Sequence, residues 1–407
     1  MRIHFVGNVC NNHYVFAKGL RSMGVDAHLF LTPFDLPCAQ HRPESEDSEL
    51  SKGYPDWIHT MSQSIPRPIV SIPRKYLSEI LACDLVDTHG NHAYHIRNKV
   101  PYVIHPYGAD FYDLPFIIPE YSRLDIRFPF IFFQHHFFTK RRFRQNYSDA
   151  SAIIMGHYDR LWKQGYEKLL LSKKIAPIPL SIDTDKFSFC ANRGDVFRKK
   201  YPKFKFFIFQ TARQVWTPKT VKRLGSKRND ILFKGFSIFA QAHKDALLVL
   251  VDKGDPDIDK SKTLIRELGI QDSVIWIESM KRYELIKYLH SCDLFIDSFA
   301  TGGHGCTALE AMSCGAPVMM YLNSKRYNQI LGETPPLINV KTPEALAEKM
   351  AYYYKHQDKL RDVAIKQRDF VERRHSLNAV CGELIKLYED IIKGQNKYHY
   401  IDQQAFL

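Results

Sequence analysis

Short apolar runs recur along the chain, and amphipathic stretches with apolar residues three or four positions apart lie between many of them. At the start, "RIHFVG", "YVFAKGLRSMG" and "DAHLFLT" predict strand, helix, strand. Further buried strands are expected at "DLVDTH" (84–89), "PYVIHPYG" (101–108), "SAIIMG" (151–156) and "KIAPIPL" (174–180). A second series follows the broken basic stretch "ANRGDVFRKKYPKFK" (191–205). It runs "FFIFQ", helix "DILFKGFSIFAQAH", "ALLVLVD", helix "SKTLIRELG", "SVIWIE", helix "RYELIKYLHSC", "LFIDSF", helix "CTALEAMSCG" and "PVMMY". Strand alternating with helix at this rhythm predicts a doubly wound parallel α/β sheet, here formed twice, with a hinge near 183–203. The tail from about Pro343 reads as helical, without heptads long enough for a coiled coil.

A length of 407 residues favours two domains over one. Lys and Arg (57) outnumber Asp and Glu (44), and the resulting +13 favours an anionic partner such as a nucleotide, a lipid surface or nucleic acid. No nucleic-acid-binding module is recognisable, so a nucleic-acid partner is not expected. The eight cysteines are scattered, with no C-x-x-C pair and no zinc-like spacing, which suits free thiols in a reducing compartment. No window reaches the ~20 apolar residues of a membrane span, and no h-region opens the chain. A cytoplasmic protein is expected, with any membrane contact peripheral. The run "FPFIFFQHHFFTKRRFRQNY" (128–147), aromatic and basic, is the candidate for contact with an anionic membrane.

The densest candidate chemistry lies in "TGGHGCTALEAMSCGAPV" (301–318). Gly302, Gly303 and Gly305 leave backbone bare between a strand and a helix whose first turn holds Cys306, Thr307 and Ala308. Free N–H groups at a helix start make an anion site, and Glu310 one turn in could accept from sugar hydroxyls. A solvated glutamate behind a Gly-rich turn is the competing reading. After the strand "FFIFQ", a loop crowded with Arg213, Lys219, Lys222, Arg223, Lys227, Arg228 and Lys234 could clamp phosphates, and Arg213 and Lys227 stand out because they flank it. "HPYGADF" puts His105, Tyr107 and Asp110 around Gly108 at another strand end, where a side chain could position or deprotonate a hydroxyl. "DKGDPDIDK" spaces Asp255, Asp257 and Asp259 alternately, but its Gly and Pro read as a surface turn rather than a metal site. The loop "GNVCNN" after the first strand is not G-x-G-x-x-G, which disfavours a dinucleotide oxidoreductase.

In this order the motifs resemble the GT-B glycosyltransferases of the retaining family 4, or glycosyl transferases group 1. The resemblance rests on "IPLSIDTDKF" (178–187), on Arg213 and Lys227 before "NDILFKGFSIF", on "LVLVDKGD", on "IQDSVIWIESMKRYELIKYLHSCDLFI" and on "GHGCTALEAMSCGAPV". These cover most of residues 175–320; the first half matches more loosely, through its opening strand and loop, "DLVDTHG" and "HPYGADF". The resemblance implies two Rossmann-like domains facing across a cleft: an acceptor-binding domain over 1–185, a sugar-nucleotide-binding domain over 186–375, and a helix over 376–407 returning to the first. It implies Arg213 and Lys227 on the leaving diphosphate with the N–H groups of Gly305, Cys306 and Thr307, Glu310 on the ribose, and the backbone near Ile277 and Glu278 beside the base. The acceptor side would involve "GNVCNNH", with Asn8, Asn11, Asn12 and His13. The family's catalytic-loop histidine aligns with Tyr107, while His105 stands two residues earlier; both remain candidates.

One departure concerns the donor. The family signature pairs two glutamates with seven residues between them, and Gly302 stands where the first belongs. Gly302 and Gly303 are expected to offer N–H groups to the donor sugar, and His304 a side-chain contact. The resemblance implies transfer from a nucleotide-sugar to a hydroxyl of a glycan or lipid-linked acceptor with retention, in cell-surface polysaccharide, lipopolysaccharide or glycolipid synthesis. No obligatory cofactor or metal is implied, and UDP-sugars are the commoner donors over GDP- or ADP-sugars. The rival readings are a sugar-nucleotide epimerase of the same architecture and an inactive sugar-nucleotide-binding protein.

Overall fold

The computed structural model describes residues 1–33, 35–36, 41–61, 72–90, 92–107, 109–112, 140–155, 175–190, 194–220, 226–395 and 397–401. Gly108, Lys222, Arg223, Cys38 and residues 128–139 of the aromatic and basic run therefore lie outside the described residues.

The chain forms two compact units. The first comprises Met1–Ser181, Gln329–Leu331 and Leu377–Leu407, and the second Ile182–Asn328 and Gly332–Ser376. Seven strands make the sheet of the first unit: β1 (Arg2–Val6), β2 (Asp26–Leu31), β3 (Ile58–Thr60), β4 (Leu85–Thr88), β5 (Tyr102–Ile104), β6 (Ala152–Ile154) and β7 (Ile175–Ala176). They pair in parallel in the order β3-β2-β1-β4-β5-β6-β7. The described helices of this part are α1 (Asn12–Ser22), α2 (Leu77–Ile80), α3 (Ala109–Tyr112) and α4 (Lys140–Asp149).

The second unit opens with α5 (Val196–Lys200) and alternates β8 (Phe206–Gln210), α6 (Asn229–Ala242), β9 (Ala246–Asp252), α7 (Ile258–Glu267), β10 (Val274–Glu278), α8 (Arg282–Ser291), β11 (Leu294–Ile296), α9 (Cys306–Ser313) and β12 (Val318–Met320). It ends with α10 (Ser324–Leu331, of which Gln329–Leu331 groups with the first unit), β13 (Ile338–Asn339), α11 (Pro343–Lys355) and α12 (Gln357–His375). Its six parallel strands lie in the order β10-β9-β8-β11-β12-β13. Apolar runs buried on both faces, such as Phe206–Phe209 and Ala246–Val251, are what a parallel sheet covered by helices requires.

In each sheet the strand order reverses once beside the first strand: between β1 and β4, and between β8 and β11. Loops leaving the carboxyl ends of those two strands diverge there and open a crevice, where ligands of wound sheets bind. The candidate residues therefore fall on the loops after β1, β4 and β5 in one unit and after β8, β9 and β11 in the other.

The last helix, α13 (Leu377–Lys393), belongs to the first unit. It buries Val380, Cys381, Leu384, Leu387 and Tyr388 in the same core as α1. Gly19 permits this approach, because a Cβ there would sit 2.6 Å from Cys381 Sγ. In the second unit, Gln367 on α12 bonds both the N–H and the carbonyl of Val318 on β12, at 2.7 and 3.1 Å. Arg368 donates to the Ser313 carbonyl at the end of α9, at 2.8 Å, satisfying one of the orphan acceptors of that helix. Among the described residues, no helix is long and apolar enough to cross a membrane.

Candidate functional site

The basic loop after β8 is held by acids rather than by apolar packing. Asp257, fully buried, accepts from the Trp216 and Thr217 N–H groups at 2.9 and 3.0 Å, from Thr217 Oγ1 at 2.8 Å, and from Thr220 Oγ1. Burial alone would raise this carboxyl, but hydrogen bonds from Thr217, Thr220 and Trp216 outweigh it and bring the pKa down to about 2. Asp255 accepts from the Gln214 N–H at 2.8 Å. The alternate aspartates of "DKGDPDIDK" thus include two anchors of the loop that carries Arg213, a role their spacing did not reveal.

Arg213 is exposed on that loop. Lys227 is tied across the switch point: its N–H donates to the Val215 carbonyl at 2.7 Å, and its own carbonyl accepts from the Phe299 N–H at 3.1 Å. Lys253, at the end of β9, joins them. Its ammonium lies below the ordinary lysine value, first because protein atoms crowd it although much of its surface meets solvent, and then because Arg213 and Lys227 are close, with Asp255 and Glu310 opposing. Three cations therefore converge from the ends of three segments, and the sequence singled out two of them.

Helix α9 begins at Gly305, whose backbone is extended and which gives the helix no side-chain cap. Cys306 and Thr307 are partly exposed in its first turn. The Gly305 N–H points to Asp297 Oδ2 at 3.5 Å. Burial raises the Asp297 carboxyl, while Lys227, the Gly305 N–H and Lys253 pull against the rise. Glu310 is buried at 2% exposure rather than solvated, and Arg282 at the start of α8 ion-pairs with it. Ile277 and Glu278 end β10, Ile277 partly buried and Glu278 exposed.

Gly302 has a left-handed φ of +78°, and its carbonyl accepts from the Asn323 N–H at 2.9 Å. A Cβ there would meet Asn323 Cβ at 3.0 Å and its N at 3.1 Å, so the backbone itself excludes the acid that the signature would place here. Gly303 is partly exposed, and His304 is buried, its N–H donating to Tyr327 Oη at 3.1 Å and its ring set against Tyr327 and His375.

In the first unit, the loop after β1 is tight, with Cys10 and Asn11 at positive φ. Asn8 and Asn11 are buried and bind the protein itself: Asn8 Nδ2 donates to Asn11 Oδ1 at 2.8 Å and to the His41 carbonyl at 2.7 Å, and Asn11 Nδ2 to the Arg42 carbonyl and Ser45 Oγ. Asn12 opens α1 partly exposed. Asp110 is a clamp, its carboxylate accepting from the Gly90 and Tyr107 N–H groups at 2.9 and 3.0 Å. Tyr107 is partly exposed, its ring edge-on to His89. His105 is buried, stacked on Phe16 with centroids 5.0 Å apart, beside His13 and Asp87. Burial would raise the Asp87 carboxyl, but His105 and His13 more than offset it and hold it well below the usual range.

Residues 217–369 match the family model of glycosyl transferases group 1. The mannosylfructose-phosphate synthase of Agrobacterium fabrum is 29% identical over 113 residues, 26% of this chain and 25% of that protein, so the match spans a quarter of the relative's length. Among solved structures, HepE of Anabaena in complex with UDP superposes with a TM-score of 0.64 at 15% identity, covering 96% of this chain and 100% of that one. HepE has also been solved with UDP-glucose. A glycosyltransferase from Rickettsia africae gives a TM-score of 0.66 at 16% identity, covering 97% and 99%. The fold is the two-domain GT-B fold of these solved structures.

Proposed function

We propose that the chain moves a sugar from a UDP-linked donor to a hydroxyl of a glycan or lipid-linked acceptor, with retention at the anomeric carbon. The observation that carries this reading is the convergence of Arg213, Lys227 and Lys253 with the uncapped start of α9 at the switch point of the second sheet. A diphosphate seated there meets three cations and the N–H groups of Gly305, Cys306 and Thr307, while Asp297 contributes a single opposing carboxyl. That charge can do the work a divalent ion does elsewhere, so no metal is needed at the diphosphate. Glu310, oriented by Arg282, accepts from the ribose hydroxyls, and the backbone at Ile277 and Glu278 borders the base. Gly302 and Gly303 turn backbone toward the donor sugar, with His304 behind them. The group 1 match over 217–369 and the UDP and UDP-glucose complexes of HepE support the donor class.

Catalysis in this reading is leaving-group neutralisation and positioning. The acceptor hydroxyl attacks from the face the diphosphate leaves, its proton passes to the departing phosphate oxygen, and the anomeric carbon–oxygen bond breaks as the new one forms. On the acceptor side the partly exposed Tyr107 is the loop residue placed for contact, with Asn12 at the mouth of α1. The setting is synthesis of cell-surface polysaccharide, lipopolysaccharide or glycolipid in the cytoplasm, beside an anionic membrane, to which the arginines of α4 are suited.

A thermal-shift panel with UDP, GDP, ADP and CMP tests the donor class. UDP is expected to raise the unfolding midpoint most, and to do so equally with and without brief EDTA treatment. No shift with any nucleotide overturns the reading.

A further inference from the structure

We propose that His13, Asp87 and His105 form a buried seat for one divalent transition-metal ion in the first unit, with Zn2+ the species whose chemistry fits best. This goes beyond the donor reading, which concerns the second unit. The three residues come from α1, from β4 and from the residue after β5, so the switch point of the first sheet brings them together. Their side chains are 0%, 0% and 5% exposed, and their ligand atoms all lie within 4.8 Å of one another.

The separation of His13 from Asp87 is that of two ligands on one ion. His13 Nε2 lies 3.3 Å from Asp87 Oδ1, and His105 Nδ1 lies 3.8 Å from Asp87 Oδ2. Ligands held ~2.0–2.1 Å from a tetrahedral ion stand roughly 3.3–3.5 Å apart. Although 3.3 Å is within hydrogen-bonding reach, neither His13 Nε2 nor Asp87 Oδ1 makes a hydrogen bond, and neither does either ring nitrogen of His105. Two atoms that close and yet misaligned are what convergence on a third point produces. Buried polar atoms are in general satisfied, and four of the twelve buried side-chain atoms that make no hydrogen bond among the described residues lie in this cluster.

Charge and surroundings point the same way. Asp87 is fully buried, and among the described residues no lysine or arginine pairs with it. Its other oxygen, Oδ2, accepts from Tyr388 Oη at 2.6 Å, so Oδ1 faces His13 while the Tyr388-bound Oδ2 faces His105. His13 Nδ1 lies 2.7 Å from the Gly7 carbonyl, which fixes the N–H on that side and turns the Nε2 lone pair toward Asp87. Ligating imidazoles characteristically donate their second N–H to a carbonyl, and ligating carboxylates are themselves hydrogen-bonded. His89, stacked on His13 at 4.3 Å, has its Nδ1 2.8 Å from the His105 carbonyl and so steadies the third ligand. Imidazole with carboxylate is a donor set for Zn2+ rather than for Mg2+ or Ca2+.

The test is metal analysis of the full chain, purified without chelator, then stripped and titrated with ZnCl2 and, for its visible absorption, CoCl2. One equivalent of zinc is expected, with a Co2+ spectrum of low-coordinate type on refilling. His13→Gln, Asp87→Asn and His105→Gln should each weaken Zn2+ binding by about 100-fold or more, and Tyr388→Phe, which keeps all three ligands, by roughly 10–100-fold. The UDP-induced thermal shift, read on the same samples, reports the second unit independently. A chain that is metal-free and fails to saturate with either ion, as a His13 imidazolium–Asp87 pair or a trapped water would leave it, overturns the proposal. So does Zn2+ affinity unchanged in Tyr388→Phe and in the ligand variants.

Discussion

Asp257→Asn probes how the loop that carries Arg213 is held. In the native protein this buried carboxylate receives two backbone N–H groups and two hydroxyls from residues 216–220, and the hydrogen bonds bring its pKa from 3.8 to about 2. A fall of that size corresponds to about 2 kcal/mol of stability at neutral pH. Because the folded-state pKa is depressed, the contribution is fully present above the unfolded value near 4 and is lost as pH falls through about 2. Asparagine keeps one acceptor oxygen but loses the charge, so the variant should be about 2 kcal/mol less stable at pH 7. Urea unfolding at pH 7, 5 and 3 measures this, with the Trp216 and Thr217 amides followed by hydrogen exchange. The difference between native protein and variant should be equal at pH 7 and 5, smaller at pH 3, and accompanied by faster exchange at both amides. Equal stability at pH 7, or a difference that already shrinks between pH 7 and 5, would refute the carboxylate's role as anchor.

Three further substitutions test the proposed donor seat. Gly302→Glu, which restores the signature acid, should lower stability by about 1–3 kcal/mol, because a side chain must adopt φ +78° against Asn323, and should give no gain in turnover; a stable, faster variant would show that the glycine backbone is not what excludes the acid. Arg282→Ala leaves the buried Glu310 carboxylate without its ion pair and should weaken UDP binding roughly tenfold or more by calorimetry, from loss of ~1.5–3 kcal/mol; unchanged affinity would separate Glu310 from the ribose. His304→Ala should lower donor turnover or donor affinity, and parity with the native protein in both would remove His304 from the sugar contact.

Much of the architecture is legible in the sequence because the strands are continuous apolar runs with amphipathic helices between them. Two strands escape that reading. Ile58–Thr60 and Ile338–Asn339 are edge strands of three and two residues, three of the five polar, and too short to carry a period. The placement of the glycine-rich turn, Arg213, Lys227 and Glu310 at the ends of strands and starts of helices is legible because the flanking apolar runs fix those junctions. Arg282 is not, since 28 residues separate it from Glu310 and only the adjacency of β10–α8 and α9 in the fold joins them. Asp257 looks like a turn residue until the loop it binds, some 40 residues earlier, is folded against it. His13, Asp87 and His105 follow the same logic: each sits unremarkably beside its own strand or helix, and the parallel register of β1, β4 and β5 brings them together.

The assignment of the second unit as a sugar-nucleotide transferase site rests most directly on Arg213 and Lys227. Release of UDP from UDP-glucose and related UDP-sugars, measured for the native chain and for Arg213→Ala and Lys227→Ala, tests it. The native chain should turn over at least one such donor, and each variant should lose about 100-fold or more, equivalent to ~3 kcal/mol of transition-state stabilisation. Near-native rates from both variants would contradict the assignment.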